Sequence, residues 1–429
     1  MKKVLLAGVA AFAMATAAHA DNSNSTVTQT GNGNGATVNQ VASLNGSDSN
    51  VNQTGNDNSA MVTQSDDASG GPPSNISDIQ QSGSNNEATV DQDTESGFPA
   101  TPPQTQNESF IDQSGSGNTA SLTQRDDGQF SEIFQLSNGN TATVTQGEAA
   151  SGDTTYENNS LVDQAGDGGH MATVSQTGAV NSSSVIQTGD SETADVDQSG
   201  NGNNSFVFQD GTGNLADVDQ SGSANSSDID QSSPGGIRPT NSQAWVDQSG
   251  NANISEVGQR GNDAEVYVSQ SGDANESYIT DNGNRSLVSV DQIGDFNDSF
   301  VTNRAEDSEV YVTQGGDSNL SNVIQREDSP PTENFLAIVD QAGSNNQSFI
   351  DQDGDNHIAD VSQSGEGNFS DVLQTGSFNE ANVDQSGSFN QSFINQSGSA
   401  NMADVTQSTD SNYSIVTQSG SGNMATVSQ

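Results

Sequence analysis

The feature that most constrains this chain is a glutamine that returns every eleven residues. It closes a short run of alternating residues, and the spacing is eleven in 26 of the 33 intervals between the 34 closing positions. Asp281 and Asn303 occupy two of these positions. Such a period indicates a repeat architecture in which each unit packs on its neighbours. It argues against the disorder that abundant Gly, Ser, Asn and Asp with high net charge would otherwise predict.

The position four residues before each closing residue shows that the true repeat is twice as long. It is Ser in every odd-numbered unit, from Ser25 to Ser414, and Ala in the even-numbered units, with Val266, Val288 and Val310 as exceptions. The alternation defines seventeen repeats of 22 residues. It keeps its phase across five insertions, which we predict to be surface loops of a single repeat array rather than domain linkers. The array is predicted to span residues 21–429, with insertions near 65–76, 93–108, 147–159, 232–243 and 326–336.

Each unit has the pattern of a half-buried β-strand. Counting back from the closing residue, positions 6, 4, 2 and 0 are typically Asn, Ser or Ala, Val or Ile, and Gln, and a spacing of two places them on one face of a strand. Each repeat is then strand, turn, strand, turn. We predict an all-β fold, a β-solenoid or cross-β stack of seventeen such repeats forming two facing parallel sheets. At ~4.8 Å per layer the stack is on the order of 80 Å long.

Glycine two residues after the closing position is predicted to make the reversal between strands. It occurs in 23 of the 33 connections, and a tight turn that needs a positive φ favours glycine. The representative turn glycines are Gly200, Gly211, Gly222, Gly376, Gly387 and Gly398.

The inward-facing Gln must find hydrogen-bond partners inside the core. A buried unpaired amide costs roughly 1–3 kcal/mol, whereas stacked amides in register can bond the layer above and the layer below, as in cross-β cores. A slip of one residue would break every rung, so the ladder would also fix the register. Across the core, each Gln is predicted to lie opposite a small Ser or Ala. The ladder is predicted to include Gln187, Gln198, Gln209, Asn214, Gln220, Gln352, Gln363, Gln374, Gln385, Gln396, Gln407, Gln418 and Gln429.

The first twenty residues predict a secretory signal peptide. Lys2 and Lys3 precede an apolar stretch that ends in Ala18-His19-Ala20. Without the two lysines, six basic residues stand against 57 acidic ones, a formal charge of about −51. Such a chain repels nucleic acid and anionic membranes, and it has no second apolar run long enough for membrane insertion. The absence of Cys excludes disulfides and thiolate-bound metals.

The stretch SFVFQDGTGNLADVDQ, from Ser205 to Gln220, resembles the curlin repeat, in which Ser, Gln, Gly, Asn, Ala and a second Gln recur at fixed spacing. Gln209, Asn214 and Gln220 match the core amides of that family. Curlins are the subunits of curli, the extracellular functional amyloid of Gram-negative biofilms. The resemblance implies Sec export and a secreted subunit of cell-surface fibres for adhesion and biofilm matrix. It implies self-association, other curlin-like subunits and an outer-membrane secretion pore as partners. Strand units run on to Gln429, so head-to-tail stacking at two open edges is expected.

The remaining chemistry is weak, and we expect no enzyme activity, no cofactor and no metal. His170 and His357 lie far apart without metal-ligand spacing and are expected to be solvated loop residues. The stretch from Asp351 to Asp360 is similar to a calcium loop, but Ser362 stands where a bidentate Glu is needed. The alternative function is a monomeric acidic β-solenoid binding module, either a calcium-dependent adhesin or an ice-binding-like rod.

Outward aspartates just before the closing residue allow two interpretations. Stacked carboxylates destabilise each other unless they are screened or bridged. They either keep the secreted monomer soluble and slow its assembly or make assembly depend on acid, salt or divalent cations. These residues are Asp91, Asp112, Asp163, Asp197, Asp219, Asp230, Asp247, Asp291, Asp340, Asp351 and Asp384.

Overall fold

The computed structural model describes most of the chain, almost all of it as β-strand and turn. The described residues are 23–41, 46–66, 75–94, 106–125, 128–147, 157–233, 238–327 and 334–429, together with the backbone of residues 13–15. They belong to two compact units, residues 1–202 and residues 203–429. The predicted signal peptide, apart from that short backbone segment, and the central parts of all five predicted insertions lie outside the described residues.

The first unit contains strands β1 to β15. They are β1 (Ala13–Ala15), β2 (Asn24–Asn32), β3 (Gly35–Val41), β4 (Asp48–Asn56), β5 (Ser59–Asp66), β6 (Ile76–Ser84), β7 (Glu87–Thr94), β8 (Glu108–Gln113), β9 (Thr119–Arg125), β10 (Phe130–Gln135), β11 (Thr141–Gln146), β12 (Asn159–Gln164), β13 (Met171–Ala179), β14 (Ser182–Gln187) and β15 (Thr193–Asn201).

The second unit contains strands β16 to β35. They are β16 (Asn204–Gln209), β17 (Leu215–Ser223), β18 (Ser226–Gln231), β19 (Gln243–Asn251), β20 (Ile254–Gln259), β21 (Glu265–Asp273), β22 (Glu276–Asp281), β23 (Leu287–Gln292), β24 (Asp298–Asn303), β25 (Glu309–Gln314), β26 (Leu320–Glu327), β27 (Leu336–Gln341), β28 (Gln347–Asp355), β29 (Ile358–Gln363), β30 (Phe369–Ser377), β31 (Glu380–Gln385), β32 (Gln391–Ser399), β33 (Met402–Gln407), β34 (Tyr413–Ser421) and β35 (Met424–Ser428).

Each unit is built from two parallel sheets. Even-numbered strands pair with even-numbered strands, as β30 does with β28 and β32, and odd-numbered strands pair with odd-numbered ones, as β31 does with β29 and β33. We call the even-numbered set the Ser sheet and the odd-numbered set the Ala sheet, after the residue four positions before the closing one. In the described part of the second unit each sheet has ten strands. The predicted fold class, an all-β solenoid of two parallel sheets, is confirmed.

Alternating burial explains why these segments form strands around a thin core. In β33 the inward Ala403, Val405 and Gln407 are each 0% exposed, while the residues between them are only partly covered. Val, Ile or Leu fills the middle of the inward face in strand after strand, and Ser or Ala fills the position before it. Period-two burial of this kind is the signature of a sheet with one packed face and one solvated face.

The strands pair in register, so that equivalent residues of successive repeats lie side by side. Gln385 pairs with Gln407, 22 residues later. In the first unit, Gln81 pairs with Gln113 although 32 residues separate them along the chain. The register is therefore independent of the length of the intervening connection.

The predicted turn glycines fall into two conformational classes. Gly200, Gly222, Gly376 and Gly398 have φ between 101° and 108°. Gly211 and Gly387 lie outside the left-handed region, so the expectation of a positive φ was wrong for these two.

Close stacking of the turns explains glycine at these two positions. A Cβ on Gly387 would lie 2.3 Å from the carbonyl oxygen of Thr409, and a Cβ on Gly211 would lie 2.2 Å from that of Pro239. No side chain fits between layers at that separation. The left-handed residue in the Gly387 turn is instead Phe389, with φ of 57°.

Candidate functional site: stacked amides in the core

The glutamines that close the Ala-sheet strands of the second unit form an unbroken hydrogen-bonded column. Each Nε2 donates to the Oε1 of the Gln one repeat later, at 2.7–3.0 Å. Every member except Gln429 is buried. The column contains Gln220, Gln248, Gln270, Gln292, Gln314, Gln341, Gln363, Gln385, Gln407 and Gln429.

The corresponding column of the Ser sheet is interrupted. One segment joins Gln209, Gln231 and Gln259, and the other joins Gln325, Gln352, Gln374, Gln396 and Gln418, with Nε2 to Oε1 distances of 2.8–3.0 Å. Asp281 and Asn303 occupy the rungs between the two segments.

The first unit contains the same arrangement. Gln187 accepts a hydrogen bond from Gln164 at 2.9 Å in the Ser sheet, and Gln198 accepts one from Gln176 at 2.8 Å in the Ala sheet. Both sheets of this unit therefore carry stacked amides as well.

The second proton of each amide crosses the core, a contact that sequence reasoning missed. Gln374 Nε2 donates to the carbonyl oxygen of Ile358 at 2.8 Å, and Gln385 Nε2 donates to that of Phe369 at 3.0 Å. The acceptor lies sixteen residues earlier, in the facing sheet, directly before the small Ala359 or Ser370. The same side chain thus joins successive repeats and the two sheets.

A second ladder uses asparagine and was also missed. In the second unit, the Asn six residues ahead of the closing position of each Ser-sheet strand accepts the backbone N–H of its counterpart in the next repeat through Oδ1. Asn390 N donates to Asn368 Oδ1 at 2.9 Å, and Asn412 N donates to Asn390 Oδ1 at 2.8 Å. Asn214, at the equivalent position ahead of the Ala sheet, accepts the N–H of Ser242 at 3.0 Å. The recurrence of Asn was visible in the sequence, but its use of the backbone as donor was not.

The buried serines of the Ser sheet differ from the amides because their hydroxyls lack partners. Within the described part of the chain, these Oγ atoms are buried and form no hydrogen bond. An unpaired buried hydroxyl costs rather than contributes stability. The Ser is therefore explained by its small size opposite Gln. The residues are Ser49, Ser77, Ser131, Ser160, Ser183, Ser205, Ser227, Ser255, Ser277, Ser299, Ser321, Ser348, Ser370, Ser392 and Ser414.

The expectation that the two histidines are solvated was wrong. His170 is 1% exposed and His357 is 0% exposed. In His357, Nε2 bonds the Asp353 carbonyl oxygen at 3.1 Å and Nδ1 accepts the Asn379 N–H at 3.3 Å. Each ring takes the place of an Asn in the repeat, and burial lowers the pKa of both, so that the neutral ring fits the ladder.

Outward carboxylates on neighbouring strands contribute to the raised pKa of Asp371 and of Asp112. Burial first, and then the neighbouring Asp351, raises the pKa of Asp371, and burial followed by Asp78 raises that of Asp112. Arg326 lies 3.2 Å from Asp351 and partly offsets this repulsion. The stacked charges thus oppose strand pairing at neutral pH, and protonation relieves the opposition. Both interpretations of the outward aspartates, solubility and a trigger for assembly, stay predictions.

The stretch that is similar to a calcium loop is strand rather than loop. β28 continues through Asp355 and β29 begins at Ile358. Among the residues that the structure describes, no group of three or more His, Asp or Glu side chains lies close enough to share a metal ion. Across the same residues, no helix is long and apolar enough to span a membrane.

Stacked parallel strands with internal amide ladders define the class of structural proteins with a β-solenoid fold. The family model of the curlin associated repeat matches residues 171–200, 189–222, 261–294, 334–365, 358–387, 379–408 and 398–429. The chain is therefore a curlin-repeat protein, and curlin repeats are typical of curli-type fibre subunits. No curated protein gives a significant match to the chain.

Proposed function

We propose that this chain is a secreted subunit that self-assembles into extracellular, amyloid-type fibres for cell adhesion and biofilm matrix. The observation that carries the proposal is the identity of the residues stacked in successive repeats. Gln374 bonds Gln396 at 2.9 Å, and Gln385 bonds Gln407 at 2.8 Å. A repeat from a second copy carries the same groups at the same spacing. It can therefore form with this chain the contacts that the chain forms with itself.

The curlin repeats support the same function. They match seven segments of the chain, and the family's members are subunits of extracellular curli fibres. The proposal includes export by the Sec pathway and through an outer-membrane pore, with other curlin-like subunits as co-assembling partners. The high negative charge fits a subunit that must stay soluble until it assembles.

The test is assembly of purified residues 21–429, followed by fibre diffraction and the kinetics of fibre growth. We expect a meridional reflection near ~4.7 Å from the strand spacing. The double variant Gln352→Leu with Gln396→Leu should slow growth by roughly tenfold or more, because neighbouring amides and facing carbonyls lose their partners.

Two outward glutamines in the same strands provide the matched control. Gln347 and Gln391 are exposed residues of β28 and β32. Their double substitution by Leu should leave growth within about twofold, because no buried amide loses a partner. Equal slowing by both pairs would reject the ladder as the basis of assembly. A chain that stays monomeric and gives no such reflection would favour the binding-module function instead.

A further inference from the structure

The interruption of the Ser-sheet ladder is a distinct structural feature of the second unit. Gln259 Nε2 donates to the backbone oxygens of Gln243 and Ala264, at 2.9 and 3.2 Å, and not to Asp281. At the other side, Gln325 Oε1 is buried and accepts no hydrogen bond from the described residues. Two successive rungs are thus disconnected from the column above and below them.

Asp281 is the buried carboxyl group within this interruption. It is 0% exposed. Ser286 Oγ lies 2.7 Å from one of its carboxylate oxygens and 2.9 Å from the other, Asn303 Nδ2 donates to it at 2.9 Å, and the N–H of Gly283 donates at 3.2 Å. The carboxyl therefore has neutral hydrogen-bond donors but no cation.

The facing Ala sheet compensates for the shorter side chains at these rungs. Its three Ala-to-Val exceptions, Val266, Val288 and Val310, lie in β21, β23 and β25, and each is 0% exposed. Val fills volume that Gln occupies elsewhere in the core. The substitutions on the two sheets thus form one coordinated change in the core.

Every charged side chain on the elements packed against Asp281 lies on an outward or turn position. These elements are β20, β21, β23 and β24, the strand β22 that contains Asp281 itself, and the turns that join them. None of the charged side chains forms a hydrogen bond to Asp281. They are Glu256, Arg260, Asp263, Glu265, Asp273, Glu276, Arg285, Asp291, Asp295, Asp298, Arg304, Glu306 and Asp307.

The interruption also separates two stacks of repeats, which differ in which sheet contains the nine-residue strands. Before it, the nine-residue strands are β17, β19 and β21 of the Ala sheet. After it, they are β28, β30, β32 and β34 of the Ser sheet. Between them, β22 to β25 are all six residues long. The longer strands therefore change from the Ala sheet to the Ser sheet at the rungs where the amide ladder is broken.

We propose that strands β20 to β26 form an acid-tightened joint, in which a protonated Asp281 holds the two stacks in register and the ionised carboxylate loosens their pairing. The geometry that carries this is a cation-free carboxyl in the second unit's otherwise neutral core, at the one described break in that unit's glutamine columns. The joint belongs to the folded chain and does not require fibre assembly.

The direction of the pH effect follows from the titration of Asp281. Burial raises its pKa from 3.8 to about 6, although the bonds from Ser286, Gly283 and Asn303 favour the charged form. The folded chain therefore holds this proton more tightly than the unfolded chain does. The stabilisation is fully present below about pH 4 and is lost as the pH rises through about 6.

Residue-resolved hydrogen exchange of residues 21–429, corrected for intrinsic rates, tests the joint. The reporters are the N–H groups of Arg260 and Asn282, which donate to the carbonyl oxygens of Asp281 and Asn303 at 2.8 Å. Between pH 5 and pH 7.5 we expect their protection to fall roughly tenfold. The N–H of Phe369, which donates to the Asn390 carbonyl oxygen at 2.8 Å, should change little.

Two variants decide the assignment. Asp281→Asn should abolish the pH step while preserving high protection at pH 7.5, whereas Asp298→Asn, an outward control on β24, should leave the step in place. If Asp281→Asn does not fold, Ser286→Ala provides the second readout, since loss of a donor to the carboxylate should move the midpoint to higher pH. A missing step in the parent chain, an equal step in Asp281→Asn, or an unmoved midpoint in Ser286→Ala would overturn the joint.

Discussion

Two turns within one repeat have nearly the same sequence and different conformations. Residues 374–379 read QTGSFN and include the end of the Ser-sheet strand β30, while residues 385–390 read QSGSFN and begin at the last residue of the Ala-sheet strand β31. Gly376 has φ of 103°, whereas Gly387 lies outside the left-handed region. Phe378 and Phe389 are alike, with φ of 56° and 57°. A Thr-to-Ser difference cannot by itself account for the two forms.

The neighbouring layers account for the difference. Gly376 stacks between Gly354 and Gly398, which share its positive φ of 127° and 108°. Conversely, the sequence SGSAN takes the same left-handed conformation at 221–225, at the end of the Ala-sheet strand β17, and at 397–401, at the end of the Ser-sheet strand β32. Turn conformation is therefore a property of the stack. Backbone pairing between layers decides it, because both forms accept the same local sequence.

The largest effect should come from adding a methyl group to each turn glycine. Gly376→Ala combines left-handed strain with a Cβ 2.1 Å from the Gly398 carbonyl oxygen, and should lower the free energy of unfolding by about 3 kcal/mol or more. Gly387→Ala meets the Thr409 oxygen at 2.3 Å without that strain, so we expect about 1–3 kcal/mol. Urea unfolding measures both.

Gly422 isolates the conformational component of this difference. It has φ of 68° and no atom within 4 Å of an added Cβ, so Gly422→Ala should cost only about 1 kcal/mol. Equal losses for Gly376→Ala and Gly387→Ala would contradict the assignment of two turn forms.

A smaller effect should come from exchanging the small core residues of β30 and β31. Ala381→Ser places a hydroxyl in a position that is 0% exposed and should cost about 1–2 kcal/mol. Ser370→Ala removes a hydroxyl that already lacks a partner, so stability should stay the same or rise by up to about 1 kcal/mol. Thermal unfolding compares the two. A clear loss of stability in Ser370→Ala would contradict this expectation, because it would mean that the Ser370 hydroxyl forms a stabilising hydrogen bond.

The smallest effect should come from the residue that both turns share. Phe378 and Phe389 are 62% and 61% exposed and both left-handed. Asn tolerates this conformation better than Phe, but loses part of the ring's apolar contact. Phe378→Asn and Phe389→Asn should each change the free energy of unfolding by less than about 1 kcal/mol, and by the same amount. Chemical denaturation of both variants measures these changes, and a clear difference between the two would contradict the expectation.

Much of the fold was predictable because one residue pattern determines both strand face and register. The inward quartet of Asn, small residue, Val or Ile, and Gln predicts the strands and the parallel stacking. Burial of His357 was not predictable, since an imidazole in place of Asn is recognised only when its Nδ1 is seen to accept the next repeat's N–H. The conformation of Gly387 was not predictable either, because it depends on layers that local sequence does not encode. Asp281, Val266 and Val288 were visible in the sequence as exceptions to the repeat pattern. The sequence did not show that they belong to one change in core packing.

The direction of the amide ladder gives the stack an electrical polarity. Along the Ala sheet of the second unit every Gln–Gln bond runs from an Nε2 to the Oε1 of the following repeat, so the amide dipoles point the same way over ten strands. Aligned hydrogen bonds polarise one another and add, as peptide dipoles do in a helix. In the Ser sheet, Asn303 donates backwards to Asp281 and reverses this direction at one rung. A column of this kind has one donor face and one acceptor face, so two stacks can join with matched amides in only one orientation.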